Sequence, residues 1–465
     1  AAECFRRSFE LDPTSVDAKA ALEAEERSLG HSACSRILSL HQDCVYAAAY
    51  SPWVQDRRLL LATASLDGTA RIWSSDGEAA LHVLAAHTDK VTAVVWSLTG
   101  SLLATSSLDK SVRVWAISAE GVPSDQSCLQ GHTGRVTSLA FHPDEARVAT
   151  AAVDSTARIW DVPSGRCLHL LEGHTKLITG LALAPHGKLL ATVSGDGTIR
   201  TWSMRSGELF DVIDWTESGA ITQCAFTSPG LGAGGGAVLV TCHINAQQEE
   251  GRVLMWDIDR PNMAAPVRGY VRSVPESSDW PFRDKIEDMD LCHIPAEDEH
   301  LLAVAGADGK LSVFDAESGV RLYCHHHEHA APPQGPAVRL PSGHYRHNCG
   351  PSANVFKVRF SPSGTYLAST GADFSVKIWR AADGQLLHTF VGHMAQVKCL
   401  CWSPDEVILV STSQDSTIRM WCCKWEDEFK PLSLNYYSQR CVSSCATSEP
   451  ASCTSAWQEA MGAWN

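Results

Sequence analysis

Between residues 35 and 424 the chain alternates short apolar runs with polar turns, the pattern of successive short strands in an all-β fold. The runs come in a fixed order. An apolar strand is followed by a tight turn carrying Asp, and then by a second strand with Trp near its end, as in "SLDGTARIW", "SLDKSVRVW", "SGDGTIRTW" and "SQDSTIRMW". The unit recurs about every 42 residues, a period that marks a stacked or radial repeat protein.

Each unit parses as an outer strand d, a connection, and then strands a, b and c. The c strands end at Trp73, Trp115, Trp160, Trp202, Trp256, Phe314, Trp379 and Trp421, which makes eight units. The array opens with a lone d-type strand, "SRILSL" (35–40), and finishes on a c strand. A ring closes best when that first strand completes the last sheet, because closure removes exposed edges. The spacing therefore predicts a closed propeller of eight four-stranded blades over 35–424. Seven blades is the alternative, if one weaker repeat in 208–320 is not a full blade. Residues 1–28 read as helical, 29–34 as a linker, and the Ser-, Ala- and Cys-rich residues 425–465 as a mobile tail.

Composition narrows the function classes. The net charge of −15 argues against a broad nucleic-acid-binding surface. No apolar run is long enough for a membrane span. An odd count of 17 Cys, with no N-x-S/T site, points to reduced thiols and a cytoplasmic location, with nuclear or cytoskeletal and ciliary sites as alternatives. The chain opens on "AAECF" without Met, so a longer parent protein is expected.

The recurring residues resemble those of WD40-repeat (β-transducin-like) propellers. That family implies a hydrogen-bonded tetrad in each blade: a His before strand a, a hydroxyl on strand b, an Asp in the b–c turn and the Trp on strand c. The matching sets are His41, Ser65, Asp67 and Trp73; His87, Ser107, Asp109 and Trp115; His174, Ser194, Asp196 and Trp202; and His393, Ser413, Asp415 and Trp421. A partial set has His132, Asp154 and Trp160, with Ala152 in place of the hydroxyl. Recurrence in several blades favours a structural network over a hydrolase triad, which needs one copy. Residues 1–28, with Ala1, Phe5, Ser8 and Pro13, resemble the C-terminal end of a tetratricopeptide (TPR) array.

Departures from the repeat mark candidate function. The His position holds Glu217, Phe282 and Pro351 in units 5, 6 and 7, which also carry long insertions, including 243–251, 275–284 and 325–353. Their d–a and b–c connections should share one face, by family convention the top. Trp280 and Phe282 are candidate apolar anchors there. Around the top mouth, Leu66, Leu108, Val153 and Gln414 precede the turn Asp, while Lys90, Arg135, Lys176 and Gln396 precede strand a. An apolar inner set with a charged rim suits peptide docking. The run "CHHHEH" with Cys349 offers His325, His327, His329 and Cys349 as metal-competent side chains, but the spacing matches no standard zinc module, and no metal or other cofactor is expected.

These features predict a non-enzymatic scaffold or adaptor in a multiprotein complex, binding protein or peptide through the top face. Neither a small-molecule substrate nor nucleic acid is expected. The alternatives are a substrate receptor of a cullin-type ubiquitin ligase, which lacks the usual Trp-Asp-x-Arg here ("WDVP", "WDID", "WSMR"), and a ciliary or coat-type transport component.

Overall fold

The structure, a computed structural model, describes residues 34–52, 59–75, 80–214, 219–227, 238–245, 250–257, 271–273, 286–294, 299–316, 321–326 and 354–423. These form eight antiparallel four-stranded sheets. The innermost strands, a, of blades 1 to 8 are Val45–Tyr50, Val91–Trp96, Val136–Phe141, Ile178–Leu183, Ala220–Phe226, Ile286–Ile294, Val355–Phe360 and Val397–Trp402. Each touches the inner strand of the next blade, and blade 8 returns to blade 1, so the ring is closed.

Closure works as the strand order requires. Cys34–Leu38 pairs with Ile418–Cys422 and supplies the outer strand of blade 8. The seam is sealed by Cys399 Sγ against Ala48 O (3.6 Å) and by a shared core of Val45, Tyr50, Trp73, Val410 and Met420. The eight-bladed reading holds, and the seven-bladed alternative is excluded. The proposed TPR-like segment (1–28) and the tail (425–465) lie outside the described residues.

Second strands are apolar on both faces because a blade covers each side. Leu60–Ser65 is buried at every residue. Outer strands such as Cys167–Leu171 face solvent and bury little. Trp and aliphatic side chains fill the gaps between blades. Trp202, for example, packs with Ile159, Leu171 and Leu190. Burying such a side chain contributes roughly 1.5–3 kcal/mol.

On the face opposite the tetrads, two a–b turns carry an extra tie. Glu145 (φ 57°) and Glu406 (φ 58°) hold the left-handed conformation that Gly100, Gly187 and Gly364 adopt in sister turns. The Glu145 carboxylate reaches back to blade 2, accepting from Thr99 N (2.6 Å), Thr99 Oγ1 (2.8 Å) and Ser101 Oγ (2.8 Å). Glu406 does the same to Ser363 of blade 7 through its backbone N–H and its Oγ. The left-handed strain is offset by charge-assisted bonds between blades.

Two expectations about the irregular units change. The segment 243–251 is not all loop. Strands Val238–Asn245 and Glu250–Asp257 extend the hairpin until Asn245 pairs with Glu250. Likewise, His325 and His326 belong to strand Arg321–His326 rather than to an insertion.

Candidate functional site

The tetrads come first, because their chemistry decides whether the repeated His and Asp are available for a reaction. In blade 3, Trp160 Nε1 donates to Thr150 Oγ1 at 2.8 Å, Thr150 Oγ1 meets His132 Nε2 at 2.8 Å, and His132 Nδ1 meets Asp154 Oδ2 at 3.0 Å. The same chain runs through Thr63, Thr105, Thr192 and Ser411 in blades 1, 2, 4 and 8.

This corrects the hydroxyl assignment. Ser65, Ser107, Ser194 and Ser413 are not the bridge between imidazole and indole. They sit two residues later on strand b, and their Oγ donates to the carbonyl at the start of strand a, such as Asp89 O (3.0 Å) and Ala395 O (3.0 Å). The same Oγ accepts the N–H of the turn Asp. Side chains alternate along a strand, so i and i−2 share a face, and spacing alone cannot separate them. It follows that blade 3 is complete: Thr150 supplies the hydroxyl, and Ala152 stands at the other position.

Donor chemistry fixes the tautomer. Indole N–H only donates and an ionised carboxylate only accepts. The His Nδ1–H therefore donates to Asp. Burial lowers the pKa of His41, His87, His132 and His174, which favours the neutral ring, and in that state Nε2 accepts from the Thr O–H. Burial alone would raise the paired carboxyls. Hydrogen bonds from Ser111, Thr156, the Thr175 N–H and the imidazoles outweigh it, holding Asp109, Asp154 and Asp196 at about 2. The bridging hydroxyl is fully buried and already committed, so the set cannot present a nucleophile.

Arginine two residues before the Trp completes the regular blades. Arg158 lies 5.8 Å over the Trp160 ring. It also explains the Gly before the His: a Cβ on Gly173 would stand 2.6 Å from Arg200 Nη1.

Blades 5 to 7 are built otherwise. In blade 5, His243 on strand b supplies the imidazole. Its Nε2 lies 2.8 Å from Thr241 Oγ1, which also accepts from Trp256 Nε1 at 2.8 Å. A His on strand b, two residues after the Thr, was the signal available in the sequence. Blade 6 has Phe314, which has no N–H to satisfy. In blade 7, Trp379 donates to Ser369 (2.8 Å) and is stacked by His325 at 5.2 Å.

The channel wall was not anticipated. Every inner strand slips register near its start, at the second residue in seven blades and the third in blade 5. The bulged residues, in ring order, are Tyr46, Thr92, Thr137, Thr179, Thr222, Glu287, Phe356 and Lys398. All but Thr92 line a cavity of about 370 Å³. The threonines are tied to the wall. Thr137 Oγ1 lies 2.8 Å from Ile178 O, and Thr179 Oγ1 lies 2.6 Å from Ile221 O. Beside them, buried Asp288 meets Arg359 Nη1 (2.8 Å), Lys357 Nζ (3.3 Å), Val358 N (3.2 Å) and Gln223 Nε2 (3.0 Å). Burial opposes its charge, but Arg359 and Lys357 prevail and lower its pKa.

The proposed rim residues meet at the top turns. Leu66 N donates to Cys44 O, Leu108 N to Lys90 O, Val153 N to Arg135 O and Gln414 N to Gln396 O, at 2.9–3.0 Å. Lys176 sits beside Gly195 in blade 4. Trp280, Phe282, Glu217 and Pro351 lie outside the described residues, as do His327, His329 and Cys349. Among the described residues, no group of three His, Cys, Asp or Glu side chains is arranged to hold a metal.

The fold and these tetrads define a WD-repeat propeller. The family described as WD domain, G-beta repeat, matches residues 32–74, 79–116, 124–161, 165–203, 341–380 and 384–422, just over half of the chain, and the chain belongs to it. The matches omit blades 5 and 6. Among curated relatives, Neurospora crassa protein hir-1 is 29% identical over 163 residues, covering 31% of this chain and 14% of that protein. A mouse protein named as one of the subunits of chromatin assembly factor 1 is 28% identical over 164 residues, covering 30% and 26%. The chain thus spans about a quarter or less of these relatives. The computationally designed Ika8 protein has the same fold, with a TM-score of 0.59 and 22% identity over 83% of this chain and 98% of that one.

Proposed function

We propose that this chain is a non-enzymatic interaction scaffold whose top face receives protein or peptide partners in a multiprotein complex. One observation carries the reading. The repeated His and Asp side chains are committed to the buried tetrads, whereas the top turns of blades 2 and 3 set Leu108 and Val153 beside Lys90 and Arg135 on a rigid support. The name of one matched relative, the chromatin assembly factor 1 component, supports work within an assembly and favours the nucleus over the cytoplasm expected from the sequence. Neither the ligase-receptor nor the transport reading gains an observation from the fold.

Lysine-directed cross-linking of the chain with co-purified partners tests this. Partner cross-links should fall on Lys90, Lys110 and Lys176 of the top turns and spare Lys188, which is exposed on the opposite face. Cross-links confined to Lys188, or no cross-linked partner at all, would sink the proposal.

A further inference from the structure

We propose that Lys398, held in the central channel, is a nucleophilic amine and a site of reversible covalent modification by small, uncharged aldehydes. The inference goes beyond the docking face and does not rest on it.

Lys398 is the bulged residue of strand a in blade 8, so its side chain lines the channel cavity and is half-buried there. In ring order it stands between Phe356 of blade 7 and Tyr46 of blade 1. Its Nζ meets Gln396 Oε1 at 2.6 Å. Among the described residues it makes no ion pair with a carboxylate, whereas Lys357 and Arg359 of the same wall share Asp288. The Gln396 amide is a neutral acceptor. A deprotonated amine still donates to it, so Lys398 gives up no bond on losing its proton, while Lys357 would give up an ion pair.

The surroundings favour that loss. Burial lowers the Lys398 pKa most, and the like charge of Lys357 works in the same direction. Cys44 of blade 1 and Glu287 of blade 6 oppose them. Burial pushes the Cys44 thiol up to about 12, so near neutral pH it carries no charge, which leaves Glu287 as the opposing charge. A desolvated lysine beside a second cation is the arrangement that frees an amine to act as a nucleophile.

The cavity selects the electrophile. Its facing wall carries Thr137, Thr179 and Thr222, whose hydroxyls donate to the backbone carbonyls of Ile178, Ile221 and Cys242. Asp288 is spent on Lys357 and Arg359, and the rings of Phe356 and Tyr46 flank the amine on either side of the ring order. A space of about 370 Å³ lined in this way suits an uncharged aldehyde with a single ring. The neutral Nζ adds to the carbonyl carbon, and a proton passes from nitrogen to the carbonyl oxygen. Loss of water from this carbinolamine leaves a C=N bond, and water reverses the step. No oxidant or reductant is consumed.

Reductive labelling of the full chain with benzaldehyde and cyanoborohydride, read lysine by lysine by peptide mass spectrometry, tests this. At pH 7 Lys398 should label at least about fivefold faster than the exposed Lys110, Lys176 and Lys188. The lead should narrow as pH rises towards about 10.4, where an ordinary lysine is also half neutral and exposure decides the rate. It should vanish in the denaturant-unfolded chain. A Lys398 rate at or below that of the exposed lysines at pH 7, a lead that does not narrow with pH, or the same lead in the unfolded chain would each overturn the inference. The cross-linking test of the docking face is independent of all three.

Discussion

Thr105→Val isolates what the bridging hydroxyl contributes. The residue is fully buried. Its Oγ1 accepts from Trp115 Nε1 at 3.1 Å and meets His87 Nε2 at 2.9 Å. Valine keeps the shape and the β-branch, so the change opens no cavity and asks nothing new of the strand. It strands an indole N–H and an imidazole nitrogen in a dry interior. Each unpaired buried group costs about 1–3 kcal/mol, so the loss should be about 2–6 kcal/mol. Ser107→Ala is the matched control. It removes a hydroxyl on the same face of the same strand, but only the link from Asp89 O to the Asp109 N–H, and should cost about 1 kcal/mol. Blade 3 already carries Ala152 at that position, which shows that a blade forms without it. Urea denaturation followed by tryptophan fluorescence, with hydrogen exchange at the blade 2 amides, would rank the two. Equal losses, or a larger loss for Ser107→Ala, would refute the assignment of the bridge to threonine.

Three further outcomes follow from the geometry. His41, His87, His132 and His174 have folded pKa values below their ordinary 6.5, so the unfolded chain binds more protons there. Stability should fall as pH drops below about 6.5, by up to about 1.4 kcal/mol per unit for each histidine, and fall again from 3.8 towards 2 as Asp109, Asp154 and Asp196 protonate; a flat melting temperature from pH 7 to 5 would contradict this. Asp288→Asn leaves Lys357 and Arg359 without their shared counter-charge and should cost about 3–5 kcal/mol by denaturant titration, whereas a loss below about 1 kcal/mol would mean that the cations find other partners. Glu145→Gly relieves the left-handed strain but cuts three bonds to blade 2, so a net loss of about 1–2 kcal/mol is expected, and a gain in stability would show that the tie contributes less than the strain it offsets.

Most of the ring was legible in the sequence because its signals are local and repeated. A turn Asp six residues before a Trp, as in Asp67 and Trp73, fixes hairpin register in each copy, and the unmatched strand at residues 35–40 foretold the closure. The tetrad was legible in its His, Asp and Trp, but not in its hydroxyl. Thr63 and Ser65 point to the same side, and only the third dimension shows which one the indole reaches. His243 was hidden for a related reason. Its imidazole comes from strand b instead of the preceding loop, so an alignment by position registers a loss where the chemistry is rebuilt. The bulged ring lining the channel leaves no periodic trace, because one extra residue per inner strand is absorbed without changing the apolar pattern on either side.

The two halves of the ring solve the same problem by different chemistry. Directly after the bulge of strand a, blades 1 to 4 carry Ala47, Ala93, Ser138 and Gly180, small side chains that let adjacent inner strands approach closely. Blades 5 to 7 carry Gln223, Asp288 and Lys357 there. Long polar side chains at a buried seam hold only if each finds its partner, and Asp288 does so by reaching both ways, to Gln223 of blade 5 and to Lys357, Val358 and Arg359 of blade 7. A misplaced neighbour beside blade 6 would bury an uncompensated carboxylate, at a cost of several kcal/mol. The polar seam thus ties together the three blades that lack the loop histidine, and the ring stays closed through them.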